Sequence, residues 1–333
     1  MLGSSDVPLS RRHDLAMLDL DGVVYVGGDA VPGAPGHLDR VRGDGMRLAF
    51  ITNNAARPPG RVAAHLRELG VAAEEADVVT SAQAAAQVLA ERLDPGARVV
   101  LLGTDGLREA LTERGFVPVD VEDDAEALVS GYGPDVLWRD VMRAAVRIRE
   151  GLWWVASNRD HSIPTAYGVA PGHGVLVETI ERFSGVPPVV AGKPERPLLE
   201  ETVRRVGGER PLMVGDRLDT DIEGARNAGV DSLLVLTGVT GLAELVAARP
   251  EERPTYVSAD LGGLSEPCAS PELVDGEAVL GGWRARSEGG RLVVEGDGAP
   301  DDWWRAVAVA AWDHLDRTGE VLDTADVAIA STP

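Results

Sequence analysis

A single cysteine, Cys268, stands in 333 residues. With no second thiol in the chain, an intramolecular disulfide is impossible and a thiolate metal cluster is excluded. Positive charge is scarce as well. Lysine and arginine total 32 against 54 aspartates and glutamates, a formal net charge of −22. A surface of that sign repels nucleic acid and anionic membranes alike. Long apolar runs are missing: none approaches the roughly 18 residues that a membrane helix needs. Arg11 and Arg12 are followed by Asp14, Asp19 and Asp21, which interrupt any signal-peptide core. The expectation is a soluble, acidic, cytoplasmic protein with neither a nucleic-acid nor a membrane partner. Hydrophobic residues at 44% and charged residues at 26% are ordinary for a globular chain and exclude the disordered class. This length predicts two or three domains.

Two residue types are rare enough to mark positions. Lys193 is the only lysine; arginine carries every other fixed positive charge. Lysine is a compact point charge and arginine a wide planar fork, so a tight site can demand the former. Asparagine occurs only as Asn53, Asn54, Asn158 and Asn227, two of them adjacent and behind an apolar run.

Short apolar runs alternate with helical periods along most of the chain. Strands are predicted at 15–20, 47–52, 98–102, 126–132, 152–156, 211–214 and 232–236. Helices are predicted at 59–69, 81–93, 106–114, 136–150, 174–184, 197–206 and 221–228, several closed by glycine. This alternation means βαβ units and a mainly parallel sheet. Ligand sites in such sheets lie beyond the carboxyl ends of the strands. Asp19 and Asp21, Thr52 and Asn53, and Asp216 fall at such ends. After about residue 265 the character changes. Residues 266–333 hold Trp283, Trp303, Trp304 and Trp312, four of the seven tryptophans. Two short strands joined at Gly289-Gly290 and a helix near 301–317 predict a small α+β appendage, whose aromatic content means a real, if small, core rather than a disordered tail.

The chemistry-bearing residues follow these ends. Asp19-Leu20-Asp21-Gly22 places two carboxylates on one side of a strand end, because strand side chains alternate. That spacing suits a nucleophile beside an acid/base, and equally a strand leaving through an acidic turn. Asp216, Asp219 and Asp221 supply further carboxylates; Asp221 also suits a helix start, and Asp219 is expected to face solvent. Oxygen-only clusters suit Mg²⁺, which also binds phosphate. Thr52-Asn53-Asn54 offers a hydroxyl, amides and a turn of backbone N–H groups that could cradle phosphate oxygens.

The ordered set Asp19-Leu-Asp-Gly-Val-Val-Tyr, Thr52-Asn-Asn, Gly192-Lys-Pro-Glu and Gly215-Asp-Arg-Leu-Asp-Thr-Asp resembles the four motifs of the haloacid dehalogenase superfamily. The forms are similar to subfamily IIA, and the resemblance covers about residues 14–265. It implies a Rossmann-like parallel-sheet core at 1–79 and 186–265, an inserted α/β cap of type C2 at 80–185, and the appendage at 266–333. It implies Mg²⁺-dependent hydrolysis of a small phosphorylated metabolite through an aspartyl-phosphate. Asp19 would be the nucleophile and Asp21 the acid/base. Asp19, Asp21 through its carbonyl, and Asp216 would hold the metal. Gly22, Thr52, Asn53, Asn54 and Lys193 would bind the phosphoryl group, with Thr52 and Lys193 also catalytic. Asp221 would orient Lys193 or metal-bound water.

Ser157-Asn158-Arg159-Asp160-His161 resembles the subfamily's cap loop, usually written with Thr where Ser157 stands. Asn158 and Asp160 are then substrate-facing candidates, against a plain turn; Arg159 and His161 could read the leaving group. The other five histidines are expected to be structural or solvent-facing. Cap-mediated homodimers are common in the subfamily. Phosphatases of this subfamily with such a composition and an appendage resembling a truncated acetyltransferase-like fold act on glycerol 3-phosphate, which is the expected substrate. Pyridoxal 5′-phosphate and 2-phosphoglycolate are the alternatives. No Gly-rich pyrophosphate loop appears in the appendage, so it is expected not to bind acetyl-CoA. A phosphotransferase or phosphomutase, or a non-catalytic binding module on the same fold, is the competing class.

Overall fold

The computed structural model describes residues 2–165 and 167–330. It divides into two compact units. One comprises Met1–Ala49, Glu68–Ala72 and Gly208–Pro333; the other comprises Phe50–Arg67 and Ala73–Gly207.

The first unit is built on parallel strands. Leu15–Leu18 pairs with Pro211–Gly215, which pairs with Asp231–Val235, which pairs with Tyr256–Ser258. Leu15, Ala16, Met17 and Leu18 are all buried, so this strand reads as a continuous apolar run with no alternation. The helix predicted at 221–228 begins differently. Residues Leu218–Ile222 form one wide turn in which the Ile222 N–H donates to the Arg217 carbonyl at 3.2 Å, and the α-helix proper is Glu223–Ala228. Such π-turns gather at functional sites because they re-aim a side chain.

The C-terminal residues belong to this unit. Four antiparallel strands, Glu272–Val274, Glu277–Leu280, Trp283–Glu288 and Arg291–Gly296, pair in sequence order. Their turns are Asp275-Gly276, Gly281-Gly282 and Gly289-Gly290, every one of these residues at positive φ. Two-residue hairpins demand that conformation, which is why Asp-Gly and Gly-Gly stand there. The sequence reading found only the last of the three, so it counted two strands where there are four. The helix Pro300–Thr318 follows. Trp303, Trp304 and Trp312 join one cluster with Leu234, Leu245 and Val257 of the parallel-sheet region. The Asp301 carboxylate accepts from Ser258 Oγ at 2.8 Å and from the Ala259 N–H at 2.7 Å, and Arg305 Nε donates to the Val257 carbonyl. The appendage thus shares its core with the strands before it, and the helix covers Tyr256–Ser258.

The second unit carries five parallel strands in the order Val189–Val190, Trp153–Ala156, Ala127–Ser130, Arg98–Leu102 and Val117–Val119. Its helices include Ser81–Ala90, Asp105–Glu113, Trp138–Arg149, His173–Ser184 and Pro197–Val206. The helix predicted at 81–93 ends at Ala90. It starts at a capping box in which Thr80 Oγ1 accepts the Gln83 N–H and Gln83 Oε1 accepts the Thr80 N–H. Trp138–Arg149 buries Val141, Ala144, Ala145 and Ile148, a 3.6-residue stripe. Trp154 is core, its Nε1–H donating to Ser130 Oγ at 2.9 Å. The end of strand Arg47–Thr52 pairs with Val78–Thr80 in this unit. A hairpin, Ser162–Thr165 with Gly168–Pro171, escaped the sequence reading.

Candidate active site

In the first unit, two neighbouring strands end in carboxylates. Leu18 pairs with Val214, so Asp19 and Asp216 leave the sheet close together. Carboxylate oxygens of Asp19, Asp216 and Asp221 all lie within 4.8 Å of one another. Asp216 is 1% exposed and Asp221 0%. The π-turn brings Asp221 back to the strand end, where its Oδ2 accepts the N–H groups of Asp216 and Arg217, both at 3.1 Å. Three acids this close, two of them buried, repel one another unless positive charge compensates them. An all-oxygen set is what a hard divalent cation takes, so these residues fit Mg²⁺. Asp21 is exposed beside them in sequence, and Asp219 is exposed and paired with Arg217.

The packing around Asp216 is tight. Its Oδ2 accepts the Val239 N–H at 2.7 Å, and its carbonyl accepts the Thr240 N–H. A Cβ on Gly22 would come within 2.3 Å of Asp216 Oδ2, and one on Gly238 within 2.0 Å. Gly22 also has φ +83°, and Thr237 Oγ1 donates to its carbonyl. Sequence reasoning missed the 237–240 loop. Its signal is the Thr237-Gly238-Val239-Thr240-Gly241 run at the end of Asp231–Val235, another parallel-strand end.

In the second unit, Asn53 is the hub. Its Oδ1 accepts the Lys193 N–H at 2.8 Å, and its Nδ2 donates to the Lys193 carbonyl and to Asp160 Oδ1, both at 3.0 Å. Its carbonyl accepts from Asn158 Nδ2 at 2.7 Å and from Ser81 Oγ at 2.5 Å. Thr52 Oγ1 accepts the Asn54 N–H, and Asn54 Oδ1 accepts the Ala56 N–H, so both side chains shape the turn that follows the strand. Lys193 is buried. Arg159 pairs with Glu181 at 2.6 Å, and His161 lies exposed, 3.6 Å from Glu178.

Comparison with known proteins gives the family. A haloacid dehalogenase-like hydrolase family model matches residues 16–117, and a HAD-hydrolase-like model matches 190–264. The D-glycerol 3-phosphate phosphatase of Mycobacterium tuberculosis is 42% identical over 315 residues, which is 92% of this chain and 87% of that protein. The chain belongs to the haloacid dehalogenase-like hydrolases. Within that family, an acid sugar phosphatase of Staphylococcus aureus is 34% identical over 253 residues, 75% of this chain and 96% of the other. The crystal structure of the mycobacterial glycerol phosphate phosphatase in complex with magnesium aligns at TM-score 0.83 and 42% identity, covering 92% of each chain.

This haloacid dehalogenase-like hydrolase also holds a buried histidine that the motifs do not contain. His173 is 3% exposed, and its Nδ1–H donates to the Asn158 carbonyl at 2.9 Å. Burial pushes its pKa down to about 4 from 6.5, against the pull of that carbonyl. The folded chain therefore binds fewer protons here than the unfolded chain between these values. The stabilisation is complete above pH ~6.5 and is lost as pH falls towards ~4. Between pH 7.5 and 5.0 the loss is about 2 kcal/mol. Urea unfolding at both values should show wild type losing that much more stability than His173→Leu; parallel losses would refute the assignment.

Proposed function

We propose that this chain is a Mg²⁺-dependent phosphatase that cleaves glycerol 3-phosphate to glycerol and phosphate. The reading of a phosphatase rests on the three-carboxylate cluster at the strand ends. The choice of substrate rests on the glycerol 3-phosphate phosphatase similarity, which runs through 92% of the chain, whereas the acid sugar phosphatase leaves a quarter of it unmatched.

The roles follow from the chemistry of each group. Asp19 attacks phosphorus in line, its carboxylate oxygen forming the new P–O bond as the ester P–O bond breaks. Asp21 gives its proton to the departing glycerol alkoxide. It then takes a proton from the water that attacks the aspartyl-phosphate, releasing phosphate and restoring Asp19. Thr52 Oγ1, the backbone N–H groups around Asn53 and Asn54, and Lys193 hold the equatorial oxygens. Gly22 lets the turn after Asp21 approach the carboxylates. Mg²⁺ would be held by Asp19, Asp216 and the Asp21 carbonyl, and when bound it neutralises charge so that two anions can meet. Asp221 orients the end of Asp216's strand through two backbone N–H groups. Asp160 and Asn158 belong to a loop that faces the leaving group in this reading.

The test is phosphate release from glycerol 3-phosphate, pyridoxal 5′-phosphate and 2-phosphoglycolate, with Mg²⁺ and with EDTA. Glycerol 3-phosphate should have the highest kcat/KM, and EDTA should reduce release to background. A different best ester would overturn the substrate. Transfer to an added alcohol in place of release would favour a phosphotransferase. A cytoplasmic location and a homodimer through the 80–185 region complete the proposal. The exposed row Trp138, Met142 and Val146 supports the dimer, and sedimentation at graded concentration tests it.

A further inference from the structure

We infer that Gly172-His173-Gly174 is a clamp that positions the Asn158–His161 loop, and through it the Asn53–Lys193 pair, with His173 as its positioning residue. The inference rests on the reading of Asn53 and Lys193 as phosphate-binding.

Three hydrogen bonds run from the clamp to the loop, accepted by the carbonyls of Asn158, Asp160 and His161. The Gly172 N–H donates to His161 O at 2.8 Å and the Gly174 N–H to Asp160 O at 2.8 Å. Between them, His173 Nδ1–H reaches Asn158 O at 2.9 Å. The two backbones lie so close that side chains are excluded. A Cβ on Gly172 would sit 2.2 Å from Asp160 O, and one on Gly174 would sit 2.3 Å from Arg159 O.

Beyond the clamp, the loop closes a ring of side chains. Asp160 N–H donates to Asn158 Oδ1, Asn158 Nδ2 to Asn53 O, and Asn53 Nδ2 to Asp160 Oδ1. Both backbone groups of Lys193 are tied to the Asn53 amide. A closed ring of hydrogen bonds, with Asn53, Asn158 and Lys193 buried, admits few alternative arrangements. His173 fixes it from the side of the clamp, through the Asn158 carbonyl. An apolar replacement leaves the buried Asn158 carbonyl without this donor, and such a group moves towards other partners. The result is a displaced Asn53 and a displaced Lys193, and an ångström of misplacement at a site of this kind lowers rates on the order of 10²-fold.

The experiment compares His173→Leu, which removes the donor, with His173→Asn, whose amide can occupy the place of Nδ1. Kinetics with two esters of different alcohols, inhibition by inorganic phosphate, and Mg²⁺ titration are measured for each. His173→Leu should lower kcat/KM by about 10-fold or more for both esters alike, and raise the inhibition constant of inorganic phosphate in step. His173→Asn should restore both to within about 3-fold of wild type. Mg²⁺ affinity should stay unchanged in both, since the three carboxylates lie in the other unit. If His173→Leu does not fold, His173→Met is the donor-free variant. Unchanged phosphate inhibition, a loss confined to one ester, or no rescue by His173→Asn would overturn the clamp. Wild type that releases no phosphate would instead defeat the proposed function. Amide exchange at Lys193 would then still decide the clamp: protection lost in His173→Leu and kept in His173→Asn supports it, and equal protection refutes it.

Discussion

Asp19→Asn should release no measurable phosphate from any ester, a loss of at least about 10³-fold in kcat. An amide has the shape of a carboxylate but cannot attack phosphorus. The substitution also separates charge from shape. Asp19, Asp216 and Asp221 hold oxygens within 4.8 Å of one another, so the substitution removes one of three charges offered to a cation. Mg²⁺ should raise the melting temperature of Asp19→Asn less than it raises that of wild type, because a ligand charge is gone. Scanning calorimetry with and without Mg²⁺ measures both shifts. Full activity in Asp19→Asn would overturn the nucleophile, and an unchanged Mg²⁺ shift would remove Asp19 from the metal set.

Gly238→Ala should nearly silence the enzyme without touching a motif residue. The new Cβ would stand 2.0 Å from Asp216 Oδ2, 2.6 Å from its Cγ and 2.7 Å from the Gly22 Cα. None of these can retreat cheaply. Asp216 is buried, with its carboxylate held by the Val239 N–H, and Gly22 is backbone in a turn of positive φ. If Asp216 holds Mg²⁺ as proposed, a shift of about 1 Å in its carboxylate should lower kcat/KM on the order of 10²-fold and raise the Mg²⁺ concentration needed for half-activity. Gly36→Ala is the control. Gly36 lies in the helix Ala34–Gly43 with nothing within 4 Å of its Cβ position. Alanine there should stabilise by up to ~1 kcal/mol and leave kinetics alone. Wild-type kinetics in Gly238→Ala would mean that the loop yields and that Asp216 does not depend on it.

Legibility followed the range over which each feature acts. Asp19, Thr52 and Asp216 were legible as candidates because an apolar run ending in a polar residue is a local signal. Lys193 was visible because it is the only lysine. Asp221 suits a helix start, and the resemblance makes it a residue orienting Lys193 or metal-bound water; its place beside Asp19 and Asp216 comes from a π-turn that no periodicity announces. His173 is, from the sequence, one of five histidines expected to be structural or solvent-facing. Its partner, the Asn158 carbonyl, is fifteen residues away and belongs to the backbone, so no side-chain spacing could reveal it. The hairpins of the C-terminal sheet were half-read: Gly289-Gly290 is legible as a turn, whereas Asp275-Gly276 and Gly281-Gly282 are recognised as turns only from their positive φ.

The amino-acid sequence by itself determined the α/β class, the succession of strands that end in polar residues, and the family to which the chain belongs. Each depends on neighbours within a few residues, where hydrophobic period and turn chemistry act. Tertiary structure alone decided what surrounds those ends: Gly238 against Asp216, His173 behind Asn158, and Trp303 and Trp312 sharing a core with Val257. These contacts join residues far apart in the chain, and only the close packing of a folded interior brings them together.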